Sequence, residues 1–482
     1  MSLLSAFTSA RSSLAAVSQQ SNLISRNVAN AENPAATRKY ASQSASVFGG
    51  VSILSVSQSS NQALFRSMTA ANSTVAAAEV AYGALDSIRA VIGDTDSITS
   101  PAARLTALDG ALAQYAVTPE DPQTARAAVT AASDLAASLN ATTKAVQATR
   151  TDADRQLADA AGTMNSLLKE FEKLNGRIMA GTATGQDVTD EVDRRDQIVT
   201  ELSGYVGLNV QVRSGNDMTL YTDSGITLFE TTARTVEFAP QSSYDAKTVG
   251  NPFRIDGVSV SGSSAGMPIK SGSVYGLLTM RDETAVAYQG QLDEVAASLV
   301  NAFAETDTGG TSWSGLFTIA TDGSSTDLST ITSKAGFAGL LAVSANAIVT
   351  PTLLRDGDIS GKGVVYNTNG TAGFADRLND LLSGLNEQRS FDGSFGAGTT
   401  GTISDYIGSS ISWLEDKRSN AGDEVDYQST VLSRAQESLS NVTGINLDEE
   451  MSHLLELERS YQASSKLIST VGDMLDALLA IV

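Results

Sequence analysis

Every seventh residue from Leu447 to Val482 is large and apolar: Leu447, Leu454, Tyr461, Ile468, Leu475 and Val482. A seven-residue repeat gathers such side chains into one stripe along a helix, and a stripe of this length needs a partner to leave water. The seam beside it, formed by Glu450, Leu457, Ser464, Val471 and Leu478, is only half apolar. Asn446 followed by Glu449 reads as a capped helix start whose acids face the positive end of the helix dipole. At the other end of the chain, Leu3, Phe7, Ala10, Leu14, Val17, Ser21, Ile24 and Val28 step by fours and threes in a second heptad seam. The pattern predicts amphipathic helices at both termini, paired with each other as a coiled coil or packed against neighbouring chains. A pair of ordinary core helices is the plainer alternative.

Between the ends the period changes twice. Asn27, Asn30, Asn33 and Pro34 crowd turn formers after the first helix. Val47 to Val56 is β-like around Gly49 and Gly50 and suggests a hairpin. Helical spacing returns from Asn61 to about Ile92, and Ala153, Leu157, Ala160, Met164, Leu167, Phe171, Leu174 and Ile178 form a long heptad run in a stretch without proline. Asp187 to Val206 predicts a further amphipathic helix. Alternation then takes over at Leu208, Val210 and Val212, with short strands expected at 219–221, 226–229, 235–238 and 253–261. Helix resumes over about 275–305, and a last heptad seam runs from Ile407 through Ile411, Leu414, Val425, Leu432 and Leu439 to Val442.

The expected fold is therefore mainly α with a β-rich insertion. Residues 1–35 and 445–482 form the terminal coiled-coil domain, and 36–206, 273–305 and 372–444 form a body of long bundled helices. Residues 207–272 make a small outer β domain. Residues 306–371, rich in Gly, Ser and Thr, are expected to be loops with small β or helical pieces.

Composition narrows the function. Over 482 residues the formal charge is −22, which argues against nucleic acid and against anionic membrane surfaces, since both require basic patches. There is no cysteine, so disulfides, thiol catalysis and zinc–thiolate sites are excluded. No stretch approaches the ~20 apolar residues of a membrane span, and the N-terminus lacks the basic start and apolar block of a secretory signal. By these signals alone the chain reads as cytosolic.

Candidate chemistry is sparse. His453 is the sole histidine, and it lies beside the apolar stripe with no second His or Cys to join it. Carboxylate pairs such as Asp193 and Asp196 read as a solvated helix face in so acidic a chain. Asp356, Asp358, Ser360 and Gly361 imitate the first half of a calcium loop, but its twelfth position is Asn367 rather than a bidentate Glu. No catalytic, cofactor or metal residue is assigned. The rival readings are a secreted acidic hydrolase, which needs two converging carboxylates in a pocket, and a soluble coiled-coil binding module, whose termini would resist proteases in the monomer.

Three motifs carry a family resemblance. Asn446 to Met451, with Tyr461, Ser464, Thr470 and the run Asp473 to Leu479, resembles the C-terminal signature of bacterial flagellar axial proteins, most closely the hook-associated protein 1 family of the hook–filament junction. Asn27, Asn30, Pro34, Thr37 and Arg38 resemble the motif near the start of that family. The segment Val192 to Leu202, leading into Val210, is similar to an internal segment of the hook-associated members and argues against a hook or rod protein, and Tyr275 to Asp282 also resembles a block of the family. The chain departs from the family at Pro34, Ala35 and Ala36, where the family has Pro-Gly-Tyr. Because Ala disfavours positive φ, a different turn is expected there.

The resemblance implies a structural, self-associating component of the flagellum, exported by the flagellar type III apparatus with the help of a chaperone and therefore extracellular. Its implied partners are the hook protein, a second hook-associated protein and other copies of itself, with neither nucleic acid nor membrane insertion. Leu3, Phe7, Leu14, Val17, Ile24, Val28, Leu447, Leu454, Tyr461, Ile468, Leu475 and Val482 are the expected subunit-packing residues.

Overall fold

The computed structural model describes residues 3–45, 50–93, 97–262 and 265–480. Helix α1 (Leu3–Ala29) is followed by an antiparallel hairpin of β1 (Lys39–Ala45) and β2 (Val51–Gln58), with a bulge between Ser42 and Gln43. The hairpin lies partly upstream of the expected position, and Val47 and Gly49 fall outside the described residues. Then come α2 (Gln62–Ile92), α3 (Pro101–Val117), α4 (Pro122–Thr184) and α5 (Thr189–Tyr205).

The β-rich stretch holds two three-stranded antiparallel sheets. One comprises β3 (Leu208–Val212), β4 (Met218–Thr222) and β5 (Thr227–Phe229), and the other β6 (Val236–Glu237), β7 (Arg254–Ile255) and β8 (Val258–Ser259). Helix α6 (Ser273–Thr279) passes through a π-helical turn, Met280–Thr284, into α7 (Ala285–Ala302). Short pieces follow: β9 (Glu305–Thr306), β10 (Ser312–Trp313), β11 (Phe317–Thr318), α8 (Phe337–Leu340), β12 (Ala342–Val343), α9 (Ala345–Val349) and α10 (Leu353–Asp356). The chain ends with α11 (Asp376–Leu385), β13 (Arg389–Ser390), β14 (Thr400–Gly401), α12 (Ile403–Thr443) and α13 (Leu447–Leu479). The protein is mostly helical, with small sheets.

Local chemistry marks the helix boundaries. Asn61 caps α2 by accepting from the amides of Ala63 and Leu64, and Asp121 with Pro122 starts α4. Gly185 ends α4 with φ 72°, a left-handed conformation that costs glycine least. Thr402 and Asp405 form a reciprocal capping box at the start of α12.

The 63 residues of α4 form the spine, about 95 Å long at 1.5 Å per residue. Its first half joins α3, α7, α11 and the start of α12 in one buried cluster, with Leu108, Leu135, Leu292, Phe303 and Ile403 among its members. Its second half, with the predicted heptad from Ala153 to Leu174, joins α5, α6 and both three-stranded sheets in another. Helix α12 runs along α2, and α13 along α1.

Where the two clusters meet on α4 the interior is ionic. Arg150 and Arg281 are almost wholly buried. Arg281 donates to Asp154 Oδ1 at 2.6 Å and to Asp282 at 2.9 and 2.7 Å. Arg150 instead donates to the backbone carbonyls of Arg281, Asp245 and Thr248. Asp154 also accepts from the Tyr244 hydroxyl at 2.7 Å and the Gln241 amide at 2.5 Å. This one carboxylate therefore joins the π-helical turn and the 241–244 loop to the spine. Asp154→Ala strands an Arg281 donor, the Tyr244 hydroxyl and a buried amide together. The expected loss is about 3–5 kcal/mol of unfolding free energy in urea titration, the usual cost of breaking a buried pair.

Candidate functional site

Three of the segments that carry the family resemblance, those around Asn27, Asn446 and Val192, meet at one place. Asn27, near the end of α1, is buried; its Oδ1 accepts from the Lys39 amide at 3.1 Å and its Nδ2 donates to the Lys39 carbonyl at 2.8 Å. The same Nδ2 donates to Glu450 Oε2 at 3.0 Å, and Arg38 Nε donates to Glu450 Oε1 at 2.7 Å. Arg38 also pairs with Glu449 at 2.9 Å, and its amide donates to the Thr443 carbonyl at 2.8 Å. The first turn of α13, the end of α12 and the start of β1 are thus fastened to the end of α1.

A second set of bonds fastens them to the body. Lys39 Nζ, 5% exposed as a residue, lies 2.8 Å from both Asp190 Oδ1 and Asp193 Oδ2 on α5. Asp193 also accepts from the Thr37 amide and hydroxyl at 3.2 and 2.6 Å. Arg26 reaches Asp187 at 2.7 Å and Asp190 at 2.9 Å. Burial works to lower the Lys39 pKa, but the hydrogen bonds to Asp190 and Asp193 outweigh it, and the net shift is upward. For Asp190, burial pushes upward and Lys39 and Arg26 pull further downward, so the carboxyl stays ionised below its usual range.

The intervening turn accommodates the loss of the family glycine. Asn33 Oδ1 accepts from the Ala35 amide at 3.1 Å and the Asn33 carbonyl from the Ala36 amide at 3.0 Å. Neither alanine has positive φ.

Beside this clamp opens a cleft of about 1130 Å³, lined by the 34–37 turn, the 56–62 segment, α5 and the end of α12. Asp196 lines it, with Oδ1 shut away from solvent and without a hydrogen-bond partner. Burial pushes its carboxyl up to about 7, Asp193 adding to the rise and Arg195 opposing it. The expectation that Asp193 and Asp196 form a solvated helix face is therefore overturned. The helical spacing is right, but α5 turns Asp193 onto Thr37 and Lys39 and Asp196 into the cleft.

The other sequence candidates carry less. His453 is exposed and lies 3.8 Å from Glu449 and 3.6 Å from Glu456 on its own helix. The Asp356 carboxylate is taken by Arg355 at 2.7 and 2.8 Å and by Asn367 Nδ2 at 2.6 Å. Among the described residues no group of His, Asp or Glu could hold a metal ion, and no helix is long and apolar enough to cross a membrane.

The twelve expected packing residues divide. On α1, Val17 and Ile24 are buried, and Leu3, Phe7, Leu14 and Val28 are half-buried. On α13, Leu454 and Ile468 are half-buried, whereas Leu447, Tyr461 and Leu475 are 47%, 48% and 42% exposed. Val482 and the Leu478 side chain lie outside the described residues. The buried positions of α13 are Glu450, Ser464 and Val471, all on the less apolar seam. That seam faces inward because Asn27, Arg38 and Ser13 offer it polar partners. The more apolar stripe points largely to solvent, with Met451, Leu455, Leu467 and Met474 also exposed.

Sequence reasoning missed Lys39 and Asp190 and misread Asp193. Their signal was present only indirectly, in the adjacency of Lys39 to the Thr37 and Arg38 motif and of Asp193 to Arg195.

The family model for the flagellar hook-associated protein FlgK helical domain matches residues 85–320, and that for the flagellar basal body rod FlgEFG protein C-terminal matches residues 429–481. Flagellar hook-associated protein 1 of Escherichia coli (strain K12) is 22% identical over 396 residues, covering 68% of this chain and 72% of that protein. Its counterpart in Salmonella typhimurium (strain LT2) is 24% identical over 405 residues, with the same coverage. The solved structure of the flagellar hook junction protein FlgK from Burkholderia pseudomallei aligns with a TM-score of 0.43 at 21% identity, over 53% of this chain and 47% of that one.

Two variants probe the clamp. Lys39→Met leaves the Asp193 carboxylate buried without its cation, and the expected cost is about 3 kcal/mol of local stability. Hydrogen exchange should localise the loss to β1, β2 and the end of α1. Asp196→Asn tests the displaced carboxyl. The folded group titrates near 7 rather than 3.8, so the folded state holds its proton more tightly than the unfolded chain. The stability this contributes is full at low pH and lost as pH rises through about 7. The gain of Asp196→Asn over the parent in urea titration should therefore be largest near pH ~8 and shrink toward pH ~4.

Proposed function

We propose, from the premise that this chain belongs to the flagellar hook-associated protein 1 family, that it is a structural component of the bacterial flagellum joining hook to filament. The observation that carries the reading is the convergence of the 27–38, 446–451 and 192–202 segments on one clamp, with an exposed apolar stripe on α13 running away from it. A stripe of this kind on a monomer marks a surface for another protein, and in an axial assembly the natural occupant is a second copy. In this reading α1 and α13 pair as a coiled coil, and Leu447, Tyr461 and Leu475, with Leu3, Phe7, Leu14, Leu454 and Ile468, pack between subunits. Residues 36–206, 273–305 and 372–444 serve as the helical body, with 207–272 as an outer domain toward solvent.

The work is mechanical rather than enzymatic. The hook protein and a second hook-associated protein are the neighbours, and export through the flagellar type III apparatus with a chaperone delivers the chain to the cell exterior. A hook or rod protein is disfavoured because the family model covering 85–320 is that of a hook-associated helical domain.

The test is complementation of a strain lacking this chain. The deletion strain should show bare hooks under the electron microscope and unpolymerised flagellin in the medium, and the native chain should restore filaments. Leu454→Asp or Leu475→Asp should fail to restore them although the purified variants keep the native near-UV circular dichroism. Normal filaments in the deletion strain or with either variant would sink the reading.

A further inference from the structure

The terminal helices run antiparallel in a single register. Asn27 Nδ2 reaches Glu450 Oε2 at 3.0 Å, and Ser13 Oγ lies 3.3 Å from Ser464 Oγ. Stepping back from residue 27 to 13 on α1 advances the partner from 450 to 464 on α13, two heptads on each helix. Nothing in the apolar part of this seam selects that alignment. Ala10, Ala16, Val17 and Ile24 on one side and Leu457 and Val471 on the other are aliphatic, and a heptad repeat packs nearly as well when slipped by seven residues.

The structure assigns the choice of register to Glu450, acting as a positioning residue. Its side chain is buried and both carboxylate oxygens are used, one by Asn27 and one by Arg38. Neither partner can follow a slip, because Asn27 is bonded to the main chain of Lys39 and the Arg38 amide to the Thr443 carbonyl. Slipping α13 by one heptad in one direction sets Glu450 opposite Gln20, and in the other carries it past the end of α1. Either way the carboxylate loses both the Asn27 and the Arg38 donor, and a single neutral amide or none replaces them, whereas the remaining contacts are exchanged for similar ones. A single buried polar residue at a seam position is a known way to fix register at some cost in stability. Register matters here because it sets which side chains of α1 and α13 lie level along the outer surface. The inference rests on the self-association reading only for that consequence. The rival determinant is the link Gly444–Asn446, which ties α13 to the end of α12.

The chain has no cysteine, so engineered pairs report register without background. In the full-length monomer, Ser13→Cys with Ser464→Cys reads the native alignment, and Ser13→Cys with Leu457→Cys or with Val471→Cys reads the two slipped ones. Crosslinks are scored as intramolecular on denaturing gels after mild oxidation. With Asn27 and Glu450 intact, the Ser13/Ser464 pair should close and the other two should stay at background. In the Asn27→Leu/Glu450→Leu background, the native pair should lose its exclusivity and the slipped pairs should rise to comparable yield. Glu450→Gln, which keeps one acceptor oxygen but sets an amide N–H against the other donor, should give slipped crosslinks at yields between those of the parent and the double leucine background. Exclusive native crosslinking in the double leucine background would overturn the inference in favour of the link, and so would failure of the native pair to close with Glu450 intact. Filament assembly is scored separately in cells, so a variant that holds register yet does not assemble counts against the junction reading alone.

Discussion

An ammonium group shut away from water must be neutralised where it sits, and that requirement ties both ends of this chain to its middle. Lys39 is held by Asp190 and Asp193 of α5 through its side chain and by Asn27 of α1 through its main chain. Its neighbour Arg38 takes the first turn of α13 and the last carbonyl of α12. Displacing any of these elements leaves a buried charge without its counter-charge, which costs more than the intact pair contributes. The arrangement therefore adds little net stability and much geometric definition.

The same physics appears midway along the spine. The two apolar clusters divide α4 between them, and aliphatic packing alone would let the π-helical turn and the 241–251 loop shift along it. Arg150, Asp154 and Arg281 remove that freedom, because each donor has a named acceptor and each acceptor is nearly saturated. Polar groups sit where segments distant in sequence must be aligned, and apolar groups where they need only be held.

This division explains what could be read from the chain. Long heptads such as 153–178 survive as written, because one helix face buried along its whole length leaves a clean period. The strands at 208–229 were legible from alternation, while the two-residue strands after residue 235 carry too short a pattern to bound. The π-helical turn at 280–284 left no sequence signal. On α13 the more apolar stripe looked like the covered one, yet α1 covers Glu450, Ser464 and Val471. Apolar count ranks stripes by their need for a partner, and it cannot show which partner a single chain supplies. Asp193 was misread for the same reason, since its partners Thr37 and Lys39 lie more than a hundred residues upstream. The motifs were visible individually; their convergence belongs to the fold.

If the α13 stripe serves the self-association proposed above, it has to stay soluble on one chain and still be available to another. The residues flanking it meet both demands. Asp448, Glu449, Glu456, Glu458, Asp473 and Asp476 share α13 with the stripe, and few bases oppose them. Two such helices from separate molecules repel through acids that face solvent, and that repulsion fades beyond about 8 Å at physiological ionic strength. Apolar contact acts only at closer range and grows with the area covered. Charge therefore governs approach and the stripe governs attachment. In the proposed assembly, an isolated encounter between two chains would bury little of the stripe, whereas a subunit entering a preformed array would bury it against neighbours already in place. The clamp at the base of α13 makes the second route selective, because it presents the stripe at a fixed angle to the body and so only to a neighbour whose own body is correctly placed.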